Sequence, residues 1–209
     1  MPHKTARRLA TALCASLAFA IMLPAASALQ IVAKGEFILV GGPIKPGDSI
    51  AFRQFYQQAP RGTYRYVYLA SGGGFVAEAI EIGRLVRAEG LSTIVDARKA
   101  VCASACTAIF IAGRQRFYLN APEASDLRQR PGRGGLGFHD GNSAVARGPD
   151  RYSGAATALM ISAYHEFGVP GAATLITKAA PDRLFVVSGP EALQLGIATS
   201  LGRDARKTP

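Results

Sequence analysis

The chain has 209 residues, 49% of them hydrophobic, and carries 24 Lys and Arg against 14 Asp and Glu. This length and apolar content exclude a disordered protein and favour one globular domain with a substantial core. The net charge of +10 is compatible with anionic partners, but a solvated basic surface explains it equally well. The sequence contains no pattern of a known nucleic-acid-binding module. We therefore expect no nucleic-acid partner.

The first 28 residues have the pattern of a secretory signal peptide. Lys4, Arg7 and Arg8 precede an uncharged apolar stretch at residues 9–23, and Ala26-Ser27-Ala28 is a cleavage-site pattern. The alternative is a retained membrane anchor, because the uncharged stretch is nearly long enough to span a bilayer. We expect a mature domain at residues 29–209, periplasmic or secreted, that meets a membrane only if this segment is retained.

The next segments alternate between strands and helices. Residues 36–44 predict a strand, a short helix begins at Asp48 or Ser49, and residues 64–70 predict a second strand that enters Ser71-Gly72-Gly73-Gly74. An amphipathic helix ends at Gly90, and residues 92–97 predict a third strand. This order is a βαβ unit with parallel strands, whose carboxyl ends are where ligands gather.

The second half of the chain is less regular. We expect a short strand at residues 116–119, a mobile arginine-containing loop at 120–134, and a strand from 135 that ends at His139. Residues 153–167 predict a helix, Pro170 opens a shorter one, and a strand at 184–188 precedes a helix at 190–195.

Ser104 lies in Cys102-Ala103-Ser104-Ala105-Cys106, between an apolar run and a stretch apolar enough to be a buried helix. A serine at such a strand-to-helix junction is well placed to be a nucleophile, because helix N-terminal N–H groups favour a developing oxyanion. Serine is also a common N-cap. Both interpretations remain open on these residues alone.

Few residues are available to act as a base. Beyond residue 28 the chain has two histidines. His165 lies within the pattern of an amphipathic helix, where a structural role is the usual one. His139 ends a glycine-flanked strand before a polar loop, and an imidazole at such a position can reach a pocket. His139 is a candidate base or a structural residue.

Two cysteines remain once Cys14 leaves with the signal. Cys102 and Cys106 predict either a disulfide in an oxidising compartment or a pair of small buried residues. Their spacing offers no zinc site, and we expect neither a metal nor a cofactor.

The triple glycine allows two functions. Its N–H groups can form an oxyanion hole with that of Ala105. Alternatively, Gly72-x-Gly74-x-x-Ala77 matches a dinucleotide fingerprint, with Asp96 placed to hold a ribose.

Three segments together resemble a known family. Ser71-Gly72-Gly73-Gly74 resembles the glycine turn of the Clp protease proteolytic subunit, Cys102-Ala103-Ser104-Ala105 its nucleophile turn, and Gly137-Phe138-His139 its histidine strand. The resemblance is closer still to exported Clp-protease-like proteins with a Cys-Ala-Ser-Ala-Cys segment, and it covers about residues 37–196. It implies an α/β fold of the ClpP/crotonase-like β-β-α spiral type and a serine hydrolase.

The resemblance also implies roles for individual residues. Ser104 would be the nucleophile and His139 the base. The acid would be Asp182, with Asp140 as the alternative, and Gly73, Gly74 and Ala105 would form the oxyanion hole. Relatives with a lysine base make Lys99 and Lys178 minor candidates.

The expected activity is an ATP-independent peptidase, since an exported protein has no access to the cytoplasmic unfoldase. Its substrates would be peptides or unfolded proteins, and a homo-oligomer is expected. A catalytically silent binding or assembly module is the alternative.

Overall fold

The computed structural model describes residues 29–128, 134–143 and 151–202. The predicted signal peptide lies outside the described residues. The strands are β1 (Gln30–Lys34), β2 (Phe37–Gly41), β3 (Tyr66–Ala70), β4 (Ser92–Asp96), β5 (Val101–Ala103), β6 (Arg116–Leu119), β7 (Asp126–Arg128), β8 (Gly135–Phe138), β9 (Asn142–Ser143), β10 (Arg151–Tyr152) and β11 (Leu184–Val186). The helices are α1 (Asp48–Gln57), α2 (Val76–Ala88), α3 (Cys106–Ala112), α4 (Gly154–Glu166), α5 (Ala173–Ile176) and α6 (Gly189–Gln194), with a 3₁₀ turn at Pro170–Ala172.

The larger sheet has five strands in the order β1-β2-β3-β4-β6. β1 is antiparallel to β2, and the other neighbours are parallel, so the predicted βαβ unit of β3, α2 and β4 is confirmed. One face of the sheet packs in a single core with the helices, including Val67, Leu69 and Val95 with Ile82 and Val86 of α2. The glycine turn leaves the carboxyl end of β3, in the middle of this sheet.

The smaller sheet has the order β5-β8-β11-β7. β8 is parallel to β5 and antiparallel to β11. The pairing of β5 with β8 places the strand before Ser104 beside the strand before His139. The prediction of a loop throughout residues 120–134 was wrong at β7, which pairs with β11. β7 is an edge strand, where polar residues are tolerated, so its sequence lacks the apolar alternation of a buried strand.

Helix α3 begins two residues after Ser104 and is surrounded by protein. All seven of its residues are buried, as expected for a helix that is apolar on every side. It packs against α2, α4 and β4. The helix behind Ser104 is therefore held by the core.

The chain is a single domain of mixed α/β architecture, in agreement with the expected fold class. None of the helices within the described ranges combines the length and apolar character needed to cross a bilayer.

Candidate active site

The glycine turn and the serine turn lie side by side. Ser71 forms a parallel bridge with Cys102, and the N–H of Ala103 donates to the carbonyl oxygen of Ser71 at 3.0 Å. The chain after β3 therefore runs beside the chain that leads into α3. This pairing places the two turns at one end of the larger sheet, where the βαβ pattern predicted a ligand site.

Ser104 adopts a conformation that few serines adopt. Its φ is +52°, in the left-handed region that L-residues other than Gly, Asn and Asp rarely visit. Hydrogen bonds hold the turn on both sides: the Ser104 N–H donates to Gly137 O at 2.9 Å, and the N–H of Thr107 donates to Ser104 O at 2.9 Å. The predicted strand-to-helix junction is confirmed, with β5 as the strand.

The serine turn has a second support that sequence reasoning missed. Thr107 Oγ1 donates to Ser104 O at 2.6 Å and lies 2.6 Å from the hydroxyl oxygen of Tyr164 in α4. Complete burial raises the pKa of the Tyr164 phenol, which keeps it protonated. The sequence predicted the helix that carries Tyr164, but nothing in the pattern indicated Thr107 as its partner.

The glycines are needed because the two turns approach closely. A Cβ on Gly73 would lie 2.7 Å from Ala103 O and 2.8 Å from Ser104 Cβ, and a Cβ on Gly74 would overlap the carbonyl oxygen of Ile44. Both residues also have positive φ, +99° and +142°, which glycine adopts at no steric cost.

The N–H groups at the turns differ in availability. The Gly73 N–H donates to Ser71 Oγ at 3.1 Å, so it is already used. Among the residues that the structure describes, no acceptor pairs with the N–H of Gly74 or of Ala105. These two donors, rather than that of Gly73, have the capacity to bind an oxyanion.

Asp96 and the sheet order argue against the dinucleotide interpretation. Asp96 is 3% exposed, and its Oδ1 accepts hydrogen bonds from the Arg98 N–H and Asn120 Nδ2. In the larger sheet β2, β3, β4 and β6 lie side by side in the order in which they occur along the chain. The sheet therefore has no point where the strand order reverses, and dinucleotide cofactors bind at such a point.

His139 follows β8 and shares a cavity with Ser104. The cavity is about 540 Å³ and is lined by Gly42, Pro43, Gly72, Gly73, Gly74, Ser104, His139 and Asn142. His139 Nδ1 lies 2.6 Å from the carbonyl oxygen of Asp140. A carbonyl can only accept, so Nδ1 is the donor in this hydrogen bond.

No hydrogen bond joins Ser104 to His139 in the described part of the chain. A catalytic pair is often this loose before substrate binds. Asn142 was not a candidate from the sequence, because a single Asn in a polar loop carries no distinguishing pattern.

The two candidate acids lie in different surroundings. Asp182 is exposed in the turn before β11, and within the described ranges no hydrogen bond or ion pair holds its carboxylate. Asp140 is partly buried, its N–H donates to Ala179 O at 2.9 Å, and its Oδ1 is a buried atom without a hydrogen-bond partner among the described residues. Of these two residues, Asp140 contacts the imidazole of His139, and it does so through its main-chain carbonyl oxygen.

Neither lysine lines the cavity. Lys178 Nζ lies 2.9 Å from Glu191 Oε1 and 4.7 Å from the centre of the Phe185 ring. Lys99 has a side chain 65% exposed and lies 4.0 Å from Asp96 Oδ2.

Cys102 and Cys106 form a disulfide, with their Cα atoms 5.2 Å apart. The two cysteines belong to different elements, since Cys102 lies in β5 and Cys106 begins α3. The bridge instead spans the serine turn.

Comparisons with known proteins identify the fold. No protein-family model and no curated protein sequence matches the chain. A serine-to-alanine mutant of the 1510-N membrane-bound stomatin-specific protease superposes with a TM-score of 0.58 at 17% identity, covering 84% of each chain.

Two further solved structures agree. A lysine-to-alanine mutant of the same protease in complex with a substrate peptide gives a TM-score of 0.58 at 17% identity, over 81% of this chain and 75% of that one. The ClpP protease catalytic domain from Plasmodium falciparum gives 0.52 at 17% identity, over 83% and 87%. The chain thus has the ClpP-like fold.

Proposed function

We propose that the protein is an exported, ATP-independent serine peptidase that cleaves peptides or unfolded proteins through Ser104 and His139. One observation supports this more than any other. Ser104, in the left-handed conformation, shares a cavity with Gly74 and with the imidazole of His139, and among the described residues the N–H groups of Gly74 and of the adjoining Ala105 have no acceptor.

These groups can carry out acyl transfer in two steps. Ser104 Oγ attacks the peptide carbonyl carbon while His139 Nε2 takes its proton, and the oxyanion accepts hydrogen bonds from Gly74 and Ala105. The imidazolium then protonates the leaving amine. Water, deprotonated by the same Nε2, releases the acyl group from Ser104.

The carbonyl oxygen of Asp140 supports the choice of base. A hydrogen bond donated by Nδ1 fixes the orientation of the imidazole ring, which is the task of the third member of a triad. We propose that this main-chain oxygen orients His139. Asp182, which the family resemblance implies as the acid, is a prediction to be tested against Asp140.

Export and assembly complete the proposal. The signal-peptide pattern and a disulfide at Cys102 and Cys106 both favour an oxidising compartment outside the cytoplasm. There the enzyme would act without an ATP-driven unfoldase. A homo-oligomer is proposed by analogy with the family.

The test is hydrolysis of an unfolded protein and of a peptide library by the chain from Leu29 onward. Ser104→Ala is expected to lower kcat by at least about 10³-fold without changing the circular dichroism spectrum, because no other group supplies the nucleophile. Ser200→Ala removes a hydroxyl far from the cavity, where it bonds to Gly202, and is the matched control. Equal activity in parent and Ser104→Ala would refute the assignment.

A catalytically silent binding module is the second candidate. The absence of a Ser104 to His139 hydrogen bond among the described residues favours it. It predicts a folded parent that binds unfolded protein but yields no new N-termini.

A further inference from the structure

The disulfide encloses the proposed nucleophile. It joins Cys102 in β5 to Cys106, the first residue of α3. The three residues between them are Ala103, Ser104 and Ala105. The covalent loop therefore contains both the attacking oxygen and one of the two unpaired N–H donors.

The enclosed turn holds an unfavourable backbone conformation. At Ser104 the φ of +52° places Cβ close to the following carbonyl oxygen, so an unrestrained chain favours other conformations. The Ser104 hydrogen bonds to Gly137 and Thr107 oppose this relaxation, but each can open alone. The disulfide instead fixes the distance between the two ends of the turn.

Both ends of the clamp are anchored in the core. Cys102 and Cys106 are each fully buried. Cys102 is paired in register with Leu136 of β8, and Cys106 belongs to the wholly buried helix α3. The bridge therefore joins a paired strand of the smaller sheet directly to a buried helix, across the turn that holds Ser104.

We propose that the Cys102–Cys106 disulfide is a positioning element of the active site, which holds Ser104 Oγ and the Ala105 N–H in their reactive arrangement. This inference rests on the proposed peptidase function. The alternative is that the two cysteines are small packing residues. A disulfide is lost when either cysteine is replaced, whereas two packing side chains contribute to the site independently.

The first test is a mutant cycle with Cys102→Ala, Cys106→Ala and the double variant. If the bond matters, each single variant and the double variant should lose the same factor in kcat, with KM within about twofold of the parent. The loss should be about 10- to 30-fold, which corresponds to the bias against the left-handed conformation in a free chain. Losses that multiply in the double variant would show independent packing roles and overturn the proposal.

A core variant controls for general destabilisation. Val86 is fully buried in α2, away from the serine turn, so Val86→Ala should lower the melting temperature while kcat is kept. If Val86→Ala loses as much kcat as the cysteine variants at a similar melting temperature, the effect comes from stability and the positioning role is wrong.

Reduction tests the same bond in the unmodified sequence. A dithiol such as dithiothreitol would transfer two electrons and two protons to the bridge, giving two cysteine thiols and its own cyclic disulfide. Activity should fall by the same 10- to 30-fold and return on reoxidation, whereas the double alanine variant should be insensitive. Full activity of protein shown by mass to be reduced would overturn the proposal.

Two readouts separate this inference from the proposed function. The ¹³C chemical shifts of Ser104 report its backbone conformation, and they should change in the double variant whether or not the protein is an enzyme. A parent that hydrolyses nothing would refute the peptidase, while unchanged Ser104 shifts would refute the clamp. An active parent with an equally active double variant would refute the clamp alone.

Discussion

The serine half of the cavity is held mainly by contacts within a few residues of the chain, whereas the histidine half depends on strands that are distant in sequence. Ser104 is fixed by Thr107, by the Cys102–Cys106 bridge and by one long-range hydrogen bond to Gly137 O. His139 lies at the end of β8, whose neighbours are β5 and β11. The serine turn is thus specified mainly by local contacts, and the base by assembly of the smaller sheet.

The glycine turn gives the largest expected effect on the serine half. In Gly74→Ala the new Cβ would overlap Ile44 O at a positive φ, so the turn must shift and carry its N–H away from the oxyanion. We expect a loss of about 10²-fold or more in kcat, as for removal of one oxyanion donor, and a lower melting temperature.

Gly72→Ala is the matched control for this substitution. No heavy atom lies within 4 Å of a Cβ at Gly72, and no positive φ is recorded there, so kcat and melting temperature should stay close to those of the parent. If both variants lose the same activity, the general flexibility of the turn matters and the Gly74 N–H does not.

The histidine half gives smaller expected effects that identify the acid. Asp140→Asn keeps the main-chain oxygen that bonds His139 and changes only the side chain, so the main-chain assignment predicts a fall in kcat of no more than about tenfold. Asp182→Asn alters an exposed carboxylate and should change kcat by less than about threefold. A loss of 10³-fold in Asp182→Asn alone would establish Asp182 as the triad acid and contradict the main-chain assignment.

The same division explains what the sequence could predict. β3, α2 and β4 were predictable because their apolar periodicity is strong, and the position of Ser104 followed from the junction beside them. β5, β7, β9 and β10 have two or three residues each, which is too few to show the alternation of apolar and polar residues that identifies a strand. Their pairing depends on distant partners, which local patterns do not encode.

The site shows the same limit. The glycine turn, Ser104, Ala105 and His139 became candidates through motifs that are each contiguous in sequence. The use of the Gly73 N–H by Ser71, the Tyr164 contact with Thr107 and the burial of Asp140 arise from tertiary packing. The disulfide was one of two open interpretations, since two cysteines four apart bond or not according to the backbone between them.

The most direct test of the account is reaction of the chain from Leu29 onward with a fluorophosphonate, followed by intact mass and peptide mapping. The account predicts one adduct, on Ser104, that is absent in Ser104→Ala and forms at least about 10²-fold more slowly in His139→Ala. A folded parent that forms no adduct, or an adduct that persists in Ser104→Ala, would contradict it.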